Sequence, residues 1–344
     1  MDSSASTQLR PTPQQRWQQF RDNHLPTLTS RQKWLALGVS VLVVILFVVL
    51  VLPFLLPFAG PKPADTRSLA DPEGAFTTIE GTEIYYTHYP NPGQTVLLLH
   101  GQGGSTLSWQ HTFPALQEAG YNIYVLDLPG AGLSEKGLDL DYSHPHAARI
   151  ILDFLRGQGV EQAHIVAHAF SANIAVMAAQ QQPDRIGKLA LVAPTLITAS
   201  PPEVPRALID IPFLKRWARV AMHLVIPVAV EEQLLSATKH DDVVTEELVA
   251  DYSRVLHTEG WDLAAIGMVR DSHRNALPDP LETLRLPVLL MWGSGDGWAP
   301  PEAAQDLLEA LPSARLVEFE GVGHLPMHET PADFNAALIL FLDN

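Results

Sequence analysis

Ala163-His164-Ile165-Val166-Ala167-His168-Ala169-Phe170-Ser171-Ala172-Asn173 decides how this chain is to be read. Ala163 to His168 is short and mostly apolar, as a buried strand is, and the run from Ser171 onward has the composition of a helix. Between them lies a corner at Ala169 and Phe170, with the small residues Ala167 and Ser171 two positions either side of Ala169. A G-x-S-x-G corner has this form, because small flanking residues let the chain turn sharply and raise the central side chain as a nucleophile. The flanking residues here are small without being glycine, and the central one, Ala169, has no nucleophilic atom. Ser171 is a poor replacement. The strand would have to run two residues further, and a serine at a helix start more often caps than attacks.

Outward from this corner, strands and helices alternate. Upstream, Phe76–Ile79 and Thr82–Thr87 form a hairpin around Glu80-Gly81, followed by strands at Thr95–Leu99 and Ile123–Asp127. Helices are predicted near Leu107–Ala119 and His144–Gly157. Downstream come helix Ser171–Gln181, strand Lys188–Val192, strand Val288–Trp292, helix Pro301–Leu311, strand Arg315–Phe319 and a last helix from Pro331. This order predicts an α/β class fold, a mostly parallel sheet with helices on both faces. Such sheets place their sites at the carboxyl ends of the strands.

The other chemically suggestive residues fall at those ends. After Trp292, the run Gly293-Ser294-Gly295-Asp296 offers Asp296 as an acid, and Gly321-Val322-Gly323-His324 offers His324 as a base. A histidine takes the nucleophile's proton and a carboxylate fixes its tautomer, which requires these two residue types together. His100-Gly101-Gln102-Gly103-Gly104 follows the first buried strand; the Gln102 and Phe170 amides are candidate oxyanion donors. His100, Gly101, Gly103 and His168 are expected to line the substrate site. The glycine spacing is neither G-x-G-x-x-G nor a P-loop. Asp127 to Ser134 reads as a structural rim loop. His144-Pro145-His146 and His240-Asp241-Asp242 each lack a third ligand, so no metal and no cofactor is expected.

Together these segments resemble the α/β-hydrolase superfamily, over residues 75–344. The resemblance implies a nucleophile–acid–histidine order, with Ala169 at the nucleophile position, Asp296 as acid and His324 as base. It also implies a helical cap, here about residues 195–284. Branches that use an aspartate nucleophile fit less well: position 103 is glycine where epoxide hydrolases typically carry proline, and position 170 is phenylalanine where haloalkane dehalogenases usually carry tryptophan. The serine branch implies hydrolysis of esters or thioesters, or of carbon–carbon bonds in vinylogous diketones. With Ala169 in place the chain reads as an inactivated serine hydrolase, a Ser-to-Ala form; a natural pseudohydrolase that binds or scaffolds is the alternative.

The N-terminal part differs in kind. Residues 1–33 are rich in Gln, Ser, Thr and Pro and read as a disordered tail. Residues 34–59 carry no charge and open with Trp34, which suits one transmembrane helix, since about 20 apolar residues cross the hydrocarbon. Pro61 and Pro63 mark a stiff linker over 60–74. Arg10, Arg16, Arg21, Arg31 and Lys33 precede the span, while only Lys62 and Arg67 closely follow it. That asymmetry places the N-terminus in the cytoplasm and the large domain on the periplasmic or extracellular side of a single-pass protein. A net charge of −16 argues against nucleic acid as a partner. The expected partners are the membrane and a small-molecule or lipid-like ester; the residues leave protein partners open. Within the cap, the apolar run Ile211–Val230 is broken by Lys215, Arg216 and Arg219. It reads as a cap helix packed on the core, or as one whose cations meet anionic headgroups. With no cysteine, disulfides and thiolate chemistry are excluded.

Overall fold

Continuous apolar runs and tight turns produce an eight-stranded sheet. Its strands are β1 (Gly74–Ile79), β2 (Thr82–Tyr89), β3 (Thr95–Leu99), β4 (Asn122–Leu126), β5 (Ala163–His168), β6 (Ile186–Val192), β7 (Val288–Gly293) and β8 (Ala314–Phe319). A computed structural model describes residues 12–24 and 29–344 of the chain. The spatial order is β1-β2-β4-β3-β5-β6-β7-β8, with β2 antiparallel to both its neighbours and every other pair parallel. The β1–β2 hairpin turns on two left-handed residues, Glu80 at φ 48 and Gly81 at φ 85, the backbone of a type I′ turn.

The period of two along each strand divides the core. Leu97, Leu99, Ile165, Ala167 and Leu191 enter one layer, beneath helices His144–Gly157 and Ser171–Gln181. Val96, Leu98, Val166, Ala190 and Val192 enter the other, with Trp109, Leu116, Phe334 and Leu338. Because both faces of β3, β5 and β6 are covered, these strands carry no alternation of polar residues. Between β6 and β7 the chain leaves the sheet to form the cap, whose main helices are Pro212–Ala237, Glu246–Ser253 and Trp261–Asp271. Val230, Leu234, Ala237, Leu248, Leu256 and Trp261 from the cap join the second core layer.

The N-terminal part departs from the sequence reading in three places. The expected disordered tail contains helix Pro13–His24; residues 1–11 and 25–28 of that tail lie outside the described residues. Gln and Arg are good helix formers, and Thr12 and Gln15 form reciprocal caps at its start. The apolar helix runs Ser30–Leu50, four residues earlier than expected, because Thr29 and Gln32 form a capping box. Beyond Val51 only one further turn, Leu52–Leu55, is helical, as Pro53 interrupts the ladder. Ser30–Leu50 is long and apolar enough to cross a membrane, and no residue of it is buried. Chain contacts separate the residues up to Leu56 from Pro57–Asn344. Finally, the linker is part of the folded domain. Ala64 N–H donates to His257 O at 2.8 Å, residues Thr66–Leu69 form a 3₁₀ turn, and Arg254 binds Asp71 and the Leu69 carbonyl.

Candidate active site

Strand β5 ends in a strained corner. Ala169 has φ 52, a left-handed backbone that L-residues other than glycine rarely adopt and that costs about 1–2 kcal/mol. Neighbouring backbone holds it there: Ala169 N–H donates to Val192 O at 2.9 Å, and Thr195 N–H donates to Ala169 O at 3.1 Å. Ala167 and Ser171 are fully buried, which is why both must be small. Replacing Ala169 by glycine removes the strain while increasing the freedom of the unfolded chain, so Ala169→Gly is expected to stabilise by about 0.5–1 kcal/mol. A raised urea midpoint at unchanged slope is the readout; a lowered one would show that the corner carries no strain.

Ser171 is not available for attack. Its hydroxyl is buried and lies within hydrogen-bond reach of two carbonyls, Leu99 O at 3.1 Å and His168 O at 2.9 Å, tying β3 to β5.

Asp296 and His324 meet on loops after β7 and β8. His324 Nδ1 lies 2.7 Å from Asp296 Oδ2, both side chains buried. A carboxylate only accepts, so Nδ1 carries a proton, and the neutral ring then has its lone pair on Nε2. Asp296 is itself fixed, because Oδ1 accepts from the amides of Trp298 at 2.8 Å and Ala299 at 2.9 Å. The His324 backbone is held at both ends: its N–H donates to Ala237 O at 2.7 Å, and its carbonyl accepts from His168 Nε2 at 3.0 Å. Burial, with His324 nearby, pushes the His168 imidazole well below its ordinary range, so it stays neutral and donates from Nε2.

The expected lining residues are gathered here with different duties. His100 accepts the Leu128 amide on Nε2 at 3.1 Å and donates from Nδ1 to Gly101 O at 2.8 Å. Both nitrogens are therefore engaged, and burial lowers its pKa. Gly101 makes room for His168, since a Cβ there would lie 2.2 Å from the ring Nδ1. Gly103 adopts φ 77. Among the described residues, no protein hydrogen bond engages the amides of Gln102 or Phe170. Asp127 takes the Thr106 and Leu133 amides, each at 2.6 Å, and so shapes the rim loop. His144 contacts Asn173 and His146 faces Glu80, so neither is a free ligand.

All these strand ends open on one cavity of about 580 Å³. Ala169, Phe170, Gln102, His168 and His324 share its floor. Its roof comes from the cap: Ile226, Val230 and Leu234 of one helix, Trp261, Ala265 and Met268 of another. Trp298 also lines it, 5.5 Å from the His324 ring. Sequence reading missed Trp298 although it stands two residues from Asp296; the cap residues carry no local signal, as their role depends on how a distant segment folds back.

Residues 94–331 match the family of the alpha/beta hydrolase fold. The chain belongs to that family. Among similar proteins, the uncharacterized hydrolase YugF of Bacillus subtilis is 30% identical over 264 residues, covering 74% of this chain and 92% of that one. The 2-hydroxy-6-oxononadienedioate/2-hydroxy-6-oxononatrienedioate hydrolase of Paraburkholderia phymatum is 26% identical over 279 residues, 77% of this chain and 93% of its own. Of solved structures, a membrane phospholipase A described as a bacterial virulence factor superposes with a TM-score of 0.63 at 22% identity, covering 90% of this chain and 98% of that one. A meta-cleavage product hydrolase from Pseudomonas fluorescens gives 0.64 at 22% identity, covering 78% and 97%. At these identities the structural likeness is one of α/β-hydrolase fold.

Proposed function

We propose that this site is built for a serine at position 169 and hydrolyses esters or thioesters with apolar acyl groups, in a domain anchored to the membrane by Ser30–Leu50. The observation that carries the proposal is the left-handed corner at Ala169, opening on the same cavity as the His324–Asp296 pair. In the serine form, Oγ attacks the carbonyl carbon as its proton passes to His324 Nε2. The oxyanion is received by the Gln102 and Phe170 amides. The carbon–oxygen or carbon–sulfur bond then breaks, and the leaving group takes the proton from Nε2. Water then attacks the acyl carbon as it gives a proton to Nε2, the bond to Oγ breaks, Oγ takes that proton back, and the acid leaves. No metal or cofactor is needed for these steps.

Cavity chemistry favours an apolar acyl chain. None of the lining residues is Lys or Arg, and most are aliphatic, aromatic or glycine. The dioate substrate named for the Paraburkholderia relative carries two carboxylates, and this cavity offers no fixed cation to receive them. Carbon–carbon hydrolysis uses the same residues and is the second reading, supported by that relative. The flanking Arg and Lys residues support an orientation with the hydrolase domain outside the cytoplasm.

One experiment tests chemistry and orientation together. A membrane-impermeant fluorophosphonate is added to intact cells expressing the Ala169→Ser chain. Covalent labelling is expected there, and none in the Ala169 chain. Labelling only after lysis would place the domain inside, leaving the chemistry standing. No labelling of a folded Ala169→Ser protein in either state would overturn the hydrolase reading in favour of a binding or scaffold protein.

A further inference from the structure

Helix Pro212–Ala237, which roofs the cavity, is apolar on two sides. Its inner side is Val230, Leu234 and Ala237, all buried, with Ile226 beside them. Its outer side is exposed: Leu224 at 57%, Val225 at 59% and Val228 at 79%. Leu214, Ala218, Ala221, Val225 and Val228 follow one another at alternating spacings of four and three, which places them on one stripe. Leu208 and Val269, exposed on adjoining cap helices, lengthen the apolar surface. Soluble monomers rarely present so continuous a patch.

Two features identify what covers it. The first is the chain that emerges from Ser30–Leu50. Phe58 lies under the Arg216 and Arg219 guanidinium groups, at 3.8 and 4.5 Å, and stacks on His223 at 4.5 Å. His223 Nδ1 meets Ala59 O at 2.9 Å, while its Nε2 and Arg219 Nε both meet Asp262 Oδ2. Residues 58 and 59 are therefore clamped onto this very helix. From Leu50 to Phe58 is eight residues, at most about 28 Å even if fully extended. The second feature is charge. Between Pro212 and Val230 the helix carries Lys215, Arg216 and Arg219 and no acidic residue, in a chain of net charge −16. Cations beside an apolar helical face suit the boundary between anionic headgroups and acyl chains.

We propose that the outer face of Pro212–Ala237, from Leu214 to Val228, lies in the interfacial layer of the bilayer, held there by the Phe58–Ala59 clamp. This rests on the reading of Ser30–Leu50 as a membrane anchor. A lipid-like ester then has a single helix between the bilayer and the cavity. That helix is weakened midway, because Pro227 has no N–H to give the His223 carbonyl.

The absence of cysteine makes the test direct. Full-length chains carrying Val228→Cys, Val43→Cys or Gln305→Cys are each labelled with an environment-sensitive fluorophore. They are reconstituted into phosphatidylcholine/phosphatidylglycerol vesicles with and without lipids nitroxide-labelled at shallow positions, for 228 and 305, and at deep positions, for 43. Emission from position 228 is expected to fall about twofold with the nitroxide lipid, as for groups buried 5–10 Å into the interface, and that from Gln305→Cys to be unchanged. Quenching at 43 without quenching at 228 would keep the anchor and overturn the docking. Quenching at 228 without quenching at 43 would overturn the anchor and keep the docking. Quenching at neither position overturns both. A signal at 228 that ignores nitroxide lipid but shifts with protein concentration would assign the face to a second copy of the chain, and the proposal would fail.

Discussion

In the Ala169→Ser protein, a further Asp296→Asn change is expected to lower kcat by about 10⁴, with little change in KM. The reason is a forced tautomer. Oδ1 of residue 296 accepts two backbone amides, those of Trp298 and Ala299, and only an oxygen can do so. An asparagine must therefore aim its NH₂ group at His324 Nδ1, which then has to accept. The imidazole proton moves to Nε2, where a lone pair is needed to take the serine proton. Asp296→Ala removes the same acceptor without imposing the wrong tautomer, so it should be the less damaged of the two if it folds. Equal activity of Asp296→Asn and its parent would show that this carboxylate does not orient the base.

Acid should begin to destabilise the domain well above the pH at which exposed carboxylates titrate. Burial holds His144 and His164 down to about 4 and His328 to about 3, while unfolded histidine titrates near 6.5. Below 6.5 the unfolded chain therefore binds more protons than the folded one, and stability is lost as pH falls from there towards 4. At on the order of 2 kcal/mol per group after allowance for solvent screening, three such groups rival a typical total stability of about 5–15 kcal/mol. Asp141, lowered to about 2 against the burial that opposes it by hydrogen bonds and charge from Arg274, extends the loss from the ordinary carboxylate range down to that pH. The urea midpoint is expected to drop steeply between pH 6.5 and 4, and His328→Phe to flatten part of that slope. A midpoint constant over this range would show that these rings are not kept neutral.

The sheet was legible because its signals are local. A buried strand needs an unbroken apolar run and a turn at each end, and Thr95–Leu99 or Ala163–His168 displays both within a few residues. The meeting of Asp296 and His324 has a related local sign: each stands on a glycine-containing loop directly after a strand. The early start of the apolar helix also had its sign, the Thr29-x-x-Gln32 pattern, which hydropathy alone overrides. The tail was harder, since Gln-rich composition suits both a solvated chain and helix Pro13–His24. What lies beyond sequence is long-range partnership. Ala59 and His223 are joined across 164 positions, and His168 and His324 across 156. Those pairs exist only once segments distant in sequence have folded together.

His324 is fastened at its amide, its carbonyl and its Nδ1, and among the described residues no hydrogen bond engages its Nε2. The rotational entropy of that ring is thus surrendered when the protein folds, and under the proposed chemistry the ring would need little rearrangement to take a proton. One of the three fastenings, the Ala237 carbonyl, belongs to the last residue of the cap helix. The seating of the cap and the aim of the His324 ring are for that reason a single mechanical variable, and a force that lifts one turns the other.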